Sequence, residues 1–182
     1  MLITPNSALF LDRDGVLNTE LPNDYVKTWA EFKFYDTTLE ALAILTKIFN
    51  KIFIVTNQKG IAKQLMTHYD LTSIHTHMLT HIQLAGGRID GIYYAPAMSQ
   101  KDYSRKPNTG MALQAKIAHP TIQLNQSYMV GNNMSDMHFG YNAGMHTIFL
   151  STTNAPVIMP HMLIQYQYPN LLSMAQYMQA LG

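Results

Sequence analysis

Short, almost wholly apolar runs, separated by stretches of helical spacing, limit this chain to few folds. Ala8-Leu9-Phe10-Leu11, Ile52-Phe53-Ile54-Val55, a run within Ile89 to Tyr94, Tyr128-Met129-Val130 and His146 to Leu150 read as five strands. Between them lie helical patterns: Thr38 to Phe49 with Leu39, Leu42, Leu45 and Ile48 on one face, and Thr67 to Ala85 with Leu71, Ile74, Met78 and Ile82. Met111 to Ala118, Ser135 to Ala143 and a closing Asn170 to Leu181 continue the pattern, and Gly86-Gly87 reads as a helix terminator. A strand that is apolar throughout must be covered on both faces. The alternation therefore predicts an α/β fold: a doubly wound, mainly parallel sheet with helices on both faces, no large cap domain, and one domain over 1–182. In such sheets ligands sit beyond the carboxyl ends of the strands. Asp12, Thr56 and Gly131-Asn132 each directly follow an apolar run, so they should converge on one edge.

Composition removes several function classes. A formal net charge of +1 and the lack of any Lys/Arg run give no electrostatic footprint for nucleic acid. Zero cysteines exclude disulfides, thiolate zinc sites and a cysteine nucleophile. No window approaches the roughly 20 apolar residues that span a bilayer, and the first residues lack the basic and apolar regions of a signal peptide. The expectation is a cytoplasmic monomer that acts on a small metabolite, with neither nucleic acid nor membrane as partner.

Four polar segments carry the chemistry, in order: Asp12-Arg13-Asp14-Gly15, Thr56-Asn57, Arg105-Lys106-Pro107 and Gly131-Asn132-Asn133-Met134-Ser135-Asp136. Each alone also reads as an ordinary turn or helix cap. Together, at strand ends, they match the needs of phosphoryl transfer, which are an in-line nucleophile and neutralisation of the equatorial oxygens. A carboxylate such as Asp12 can accept a phosphoryl group. Asp14, two residues on, can protonate the leaving oxygen and later activate water. Thr56 and Lys106 can donate to phosphoryl oxygens. Asp136, with Asn132 one turn earlier, offers hard oxygen ligands to Mg²⁺.

These segments, with Val16-Leu17-Asn18, Gln58 before Gly60-Ile61-Ala62, Asp90-Gly91-Ile92-Tyr93-Tyr94, Gly110-Met111, Met137 and Ala143-Gly144, resemble the haloacid dehalogenase superfamily. The likeness is to the subgroup of D-glycero-D-manno-heptose 1,7-bisphosphate phosphatase and histidinol-phosphatase, over about residues 7–150. It implies a Mg²⁺-dependent phosphomonoester hydrolase with Asp12 as nucleophile, Asp14 as acid/base, and Thr56 and Lys106 on the phosphoryl group. It also implies Mg²⁺ held by Asp12, the Asp14 carbonyl and the segment containing Asn132 and Asp136. Substrate contacts would come from Arg105, from the loop containing Glu20, Asp24 and Tyr25, and from Asn57, Gln58 and Lys59. Tyr25-Val26, Glu31-Phe32 and Lys106 to Met111 follow the heptose enzyme's pattern, so heptose 1,7-bisphosphate is the expected substrate. Alternatives are histidinol phosphate, or a phosphosugar-binding module with weakened catalysis.

Two features depart from that pattern. Relatives often carry a zinc loop whose four ligand positions are here Ala95, Ala97, Asp102 and Ser104, so zinc is not expected. The first Asp of the usual metal motif is Asn132, which removes one negative charge. Elsewhere, His75, His77 and His81 share one helix. They could ligate a metal but read as a solvated helix face. His138 reads as structural, and Tyr166, Tyr168 and Tyr177 read as packing residues in the tail.

Overall fold

The computed structural model describes residues 2–21 and 24–181. Pro22 and Asn23, in the expected substrate loop, lie outside the described residues. Six strands form one all-parallel sheet in the order β3-β2-β1-β4-β5-β6: β1 Ala8–Leu11, β2 Lys51–Asn57, β3 Gly91–Ala95, β4 Tyr128–Gly131, β5 His146–Leu150 and β6 Tyr166–Tyr168. The helices are α1 Thr38–Ile48, α2 Lys59–Ala62, α3 His68–Leu84, α4 Gly110–Ala118, α5 Met134–Asn142 and α6 Leu171–Leu181. The expected doubly wound architecture is present. None of these helices is long and apolar enough to cross a membrane.

Strand pleating sorts the core into two layers. Leu9 and Leu11 of β1 face one side, with Ile52, Ile54, Tyr128 and Val130, and are covered by Leu42 and Leu45 of α1, Leu71, Ile74 and Met78 of α3, and Met174 of α6. Ala8 and Phe10 face the other side, with Phe53, Val55 and Met129, under Met111, Ala112 and Ala115 of α4 and Phe139 of α5. Both faces are sealed, which explains why the strands read as continuous apolar runs.

The tail differs from expectation. Tyr166 and Tyr168 do more than pack, since they belong to a sixth strand whose register sets Ile148 against Tyr166 and Leu150 against Tyr168. The segment Tyr-Gln-Tyr is short and polar at its centre, so no apolar run marked it. The histidines of α3 differ as well. His75 is i+4 from Leu71 and i−3 from Met78, which places it on the buried stripe. His77 and His81 stack on Trp29 at 5.3 and 5.2 Å between ring centroids. That contact pins the excursion between β1 and α1 onto α3, while His77 and His81 stay exposed as expected, so only His75 departs from the solvated face. His138 is exposed.

Strand order reverses where β1 pairs with β2 on one side and β4 on the other. Ligands favour the crevice outside such a point. Asp12 emerges there, its N–H still donating to Val130 O at 2.9 Å.

Candidate active site

Asp12 follows β1 and is nearly buried, with Oδ1 accepting from Arg13 N at 2.8 Å. The Lys106 ammonium fills its three donor directions inside the protein: Asp12 Oδ1 at 2.8 Å, Asp136 Oδ1 at 2.7 Å and Val55 O at 2.9 Å. Lysine is long enough to reach this point from its loop because Asn57, at the end of β2, clamps the Lys106 backbone. Lys106 N donates to Asn57 Oδ1 at 3.0 Å, and Asn57 Nδ2 donates to Lys106 O at 3.2 Å. Burial pushes the Asp12 carboxyl up to about 7; the Asp136 charge adds to that rise and Lys106 opposes it. Lys106 is itself held above its ordinary value, because Asp12 and Asp136 outweigh the cost of burial.

Asp14 lies one strand-length step further out and is differently placed. Burial disfavours its charge, yet the Arg13 guanidinium and hydrogen bonds from Asn18 and Gln58 hold it below the usual carboxylate range. Arg13 donates from Nη2 to both Asp14 oxygens at 2.9 and 3.0 Å, Asn18 Nδ2 to Oδ1 at 2.9 Å, and Gln58 Nε2 to Oδ2 at 2.9 Å. Gln58 Nε2 also donates to Thr56 Oγ1 at 2.9 Å, which leaves the Thr56 hydroxyl proton free to point elsewhere.

Arg13, Asn18 and His75 were given no role at this site by the sequence. Arg13 is fully buried, and its Nη1 lies 3.3 Å from His75 Nε2. The period-2 pattern carries the signal: Leu9, Leu11 and Arg13 alternate onto the same face, toward α3. His75 is pushed down to about 3 by burial and by the Arg13 charge, so it is a neutral acceptor.

One cavity of about 300 Å³ is lined by Asp12, Asp14, Thr56, Lys106, Arg105 and Asp136, with Glu20, Asn57 and Lys59 also on its wall. A second cavity of about 210 Å³ shares Asp14, Glu20 and Asn57 with it and adds Asp24, Tyr25 and Gln58. All four predicted segments thus meet at one edge. Two buried polar atoms in the first cavity stand out. Arg105 Nε has no hydrogen-bond partner among the described residues, and Asp136 Oδ1 has none beyond the Lys106 ammonium. Gly131 permits this placement of Asp136, since a Cβ there would lie 2.4 Å from Asp136 Oδ2.

Asn132 is not on the cavity wall in the manner of Asp136. It is fully buried behind Gly15, and Nδ2 donates to Glu20 Oε1 at 3.0 Å and Thr153 Oγ1 at 2.6 Å. Gly15 has φ +82°, and a Cβ on it would meet Asn132 Nδ2 at 2.0 Å, so both backbone and space require glycine. Among the described residues no three carboxylates or imidazoles form a closed metal cage. The oxygen donors present, the Asp12 and Asp136 carboxylates among them, nevertheless suit Mg²⁺, which takes one or two carboxylates and keeps its waters.

The loop from Ala95 to Lys106 is held by hydrogen bonds. Asp102 Oδ1 accepts from Ser104 N at 2.9 Å and from Ser104 Oγ at 2.5 Å. Asn108 Nδ2 donates to Gln100 O and Asp102 O, both at 2.8 Å, and Arg105 Nη1 donates to Ala97 O at 3.2 Å.

Residues 8–155 match the family described as polynucleotide kinase 3 phosphatase. The D-glycero-alpha-D-manno-heptose-1,7-bisphosphate 7-phosphatase of Mycobacterium bovis is 36% identical over 135 residues, 74% of this chain and 71% of that protein. The D-glycero-beta-D-manno-heptose-1,7-bisphosphate 7-phosphatase of Helicobacter pylori is 34% identical over 166 residues, 90% of this chain and 93% of that protein. Among solved structures, a D,D-heptose 1,7-bisphosphate phosphatase from B. bronchiseptica, complexed with magnesium and phosphate, shares the fold with a TM-score of 0.85. It is 24% identical and covers 97% of this chain and 99% of that one.

Proposed function

This chain belongs to the polynucleotide kinase 3 phosphatase family and is a phosphatase of the haloacid dehalogenase type, and from that premise we propose that it removes the 7-phosphate of a heptose 1,7-bisphosphate through an aspartyl-phosphate on Asp12. The observation that carries the mechanism is the Lys106 ammonium wedged between Asp12 and Asp136, in the cavity that also holds the unpartnered Arg105 Nε. The substrate class rests on the names of relatives at 34–36% identity. A sugar phosphate has room to extend from the first cavity into the second, past Glu20 and Asn57, toward Asp24 and Tyr25.

An Asp12 oxygen attacks phosphorus while the ester oxygen leaves with a proton from Asp14. Water then attacks the aspartyl-phosphate and gives its proton to Asp14, which releases inorganic phosphate and restores Asp12. Lys106, the Thr56 hydroxyl and Arg105 donate to the phosphoryl oxygens. Asp14 is ionised while Arg13, Asn18 and Gln58 hold it, the form that suits activation of water. Donation to the leaving oxygen needs its carboxyl to take up a proton and loosen from that grip. Asp12, the Asp14 carbonyl and Asp136 would hold Mg²⁺, which neutralises charge on the transferring group when bound. Zinc has no part in this reading, because Ala95, Ala97, Asp102 and Ser104 offer no soft ligand set.

Phosphate release from heptose 1,7-bisphosphate, histidinol phosphate and a 3′-phosphorylated oligonucleotide, with and without Mg²⁺, tests the proposal. Turnover should be Mg²⁺-dependent and greatest on the heptose, and Asp12→Asn should lower kcat by more than about a thousandfold. Activity of that variant within about tenfold of the unsubstituted protein would refute covalent catalysis by Asp12.

A further inference from the structure

Glu20 has a position that substrate contact alone does not explain. Its Oε1 accepts from Asn132 Nδ2 at 3.0 Å, and Asn133 Nδ2 lies 3.5 Å from the same oxygen. Asn132 is fully buried and fixed from three further directions. Its Nδ2 donates to Thr153 Oγ1, its Oδ1 accepts from Asn133 Nδ2 at 3.2 Å, and its backbone O accepts from Asn154 Nδ2 at 2.8 Å. Gly15 keeps this contact open, because a Cβ there would also come within 2.7 Å of Glu20 Oε1. The chain therefore uses a buried carboxamide and a left-handed glycine to hold one carboxylate at the cavity wall.

On that wall Glu20 joins Asp12 and Asp136. Asp14, by contrast, is matched by its own cation, Arg13. The deep ammonium of Lys106 is shared by Asp12 and Asp136 and does not reach Glu20. Arg105 and Lys59 also line this wall, but among the described residues no Lys or Arg forms an ion pair with Glu20. Carboxylates gathered in a recess repel one another unless a cation sits among them. Among the described residues no three of them close into a cage, so a cation held here would keep water between itself and Glu20, as a hard ion that retains its hydration does.

We propose that Glu20 is an outer ligand of the divalent cation in this cavity, and that Asn132 serves it by orienting its carboxylate. The inference rests on the phosphatase reading above. It makes position 132 dependent on position 20: a carboxylate at both would set like charges at hydrogen-bond distance. The amide at 132 is the complement of the acid at 20.

Calorimetric titration of Mg²⁺ into the whole chain tests this without reference to turnover, using the unsubstituted protein, Glu20→Gln, Asn132→Asp and the double variant. Glu20→Gln should weaken Mg²⁺ binding about 10–100-fold. Asn132→Asp alone should not tighten it, whereas in the Glu20→Gln background it should restore affinity to within about threefold of the unsubstituted protein. The unfolding midpoint of each metal-free variant checks that it folds; should Glu20→Gln not fold, Glu20→Asp takes its place and should weaken binding by a smaller factor. Unchanged Mg²⁺ affinity in Glu20→Gln overturns the proposal, as does equal tightening by Asn132→Asp in both backgrounds. Glu20-dependent Mg²⁺ binding without release of phosphate from heptose bisphosphate would defeat the substrate reading alone. Turnover with Glu20-independent binding would defeat this one alone.

Discussion

At Asn57 one side chain satisfies both the N–H and the C=O of Lys106, 49 residues away in sequence. The amide does not need to touch the phosphoryl group to matter, since it decides where the ammonium of Lys106 starts from. Misplacement of a catalytic group by about 1 Å can cost on the order of 100-fold. Asn57→Ala should lower kcat about 10–100-fold by this route, and Asn57→Asp should lose less, because it keeps the acceptor for Lys106 N. Steady-state kinetics on the same substrate separates this from a binding role, in which KM would rise while kcat stayed fixed. The sequence placed Thr56-Asn57 after a strand and so marked it for the site, but its partner was illegible. Two backbone groups in a distant loop leave no pattern in composition or spacing.

Helix ends were readable where a local hydrogen bond fixes them. Thr67 caps α3, with Asp70 N donating to its Oγ1 at 3.1 Å and Thr67 N donating to Asp70 Oδ2 at 2.8 Å, and Gly86 follows the helix with φ +82°. The four residues of α2 and the three of β6 were not readable, since neither is long enough to show a period. The loop between β3 and α4 lies between these cases. Its lost ligand positions were plain, whereas its replacement by the Asp102–Ser104 turn and the Asn108 amide was not. Elemental analysis of the purified chain is expected to find no stoichiometric zinc. Asn108→Ala frees two carbonyls of this loop and should raise KM several-fold through Arg105, at a stability change of about 1–2 kcal/mol. One zinc per chain, or an unchanged KM, would remove the loop's assigned role.

Across the whole molecule, the contact between Arg13 at the end of β1 and His75 on α3 joins the sheet to its covering layer. His75 also faces Tyr94, with ring centroids 6.2 Å apart, and Asp14 lies beyond Arg13. Its ordinary value is 6.5, and folding lowers it to about 3. Between those values the unfolded chain binds a proton at this site and the folded chain does not, so the stability contributed by this group falls as pH drops below 6.5. The slope from one such group is about 1.4 kcal/mol per pH unit. Between pH 6.5 and 4.5 the urea-unfolding stability of the unsubstituted protein relative to His75→Gln should fall by about that amount per pH unit, a comparison that cancels the opposite contribution of Asp12, which folding raises to about 7. An unchanged slope would mean that His75 titrates alike in both states. The sequence by itself determined the alternation of strands and helices, and hence the parallel sheet and the edge where Asp12, Thr56, Lys106 and Asp136 meet. Hydrophobic period and strand-end position are local properties, and packing two layers on an apolar strand leaves few ways to satisfy them. Only the tertiary structure decided that Arg13 is buried against His75, that Asn57 grips Lys106 and that Asn132 turns its amide to Glu20. Those are directional hydrogen bonds between residues remote in sequence. Their partners are chosen by which groups the folded core leaves facing one another without water.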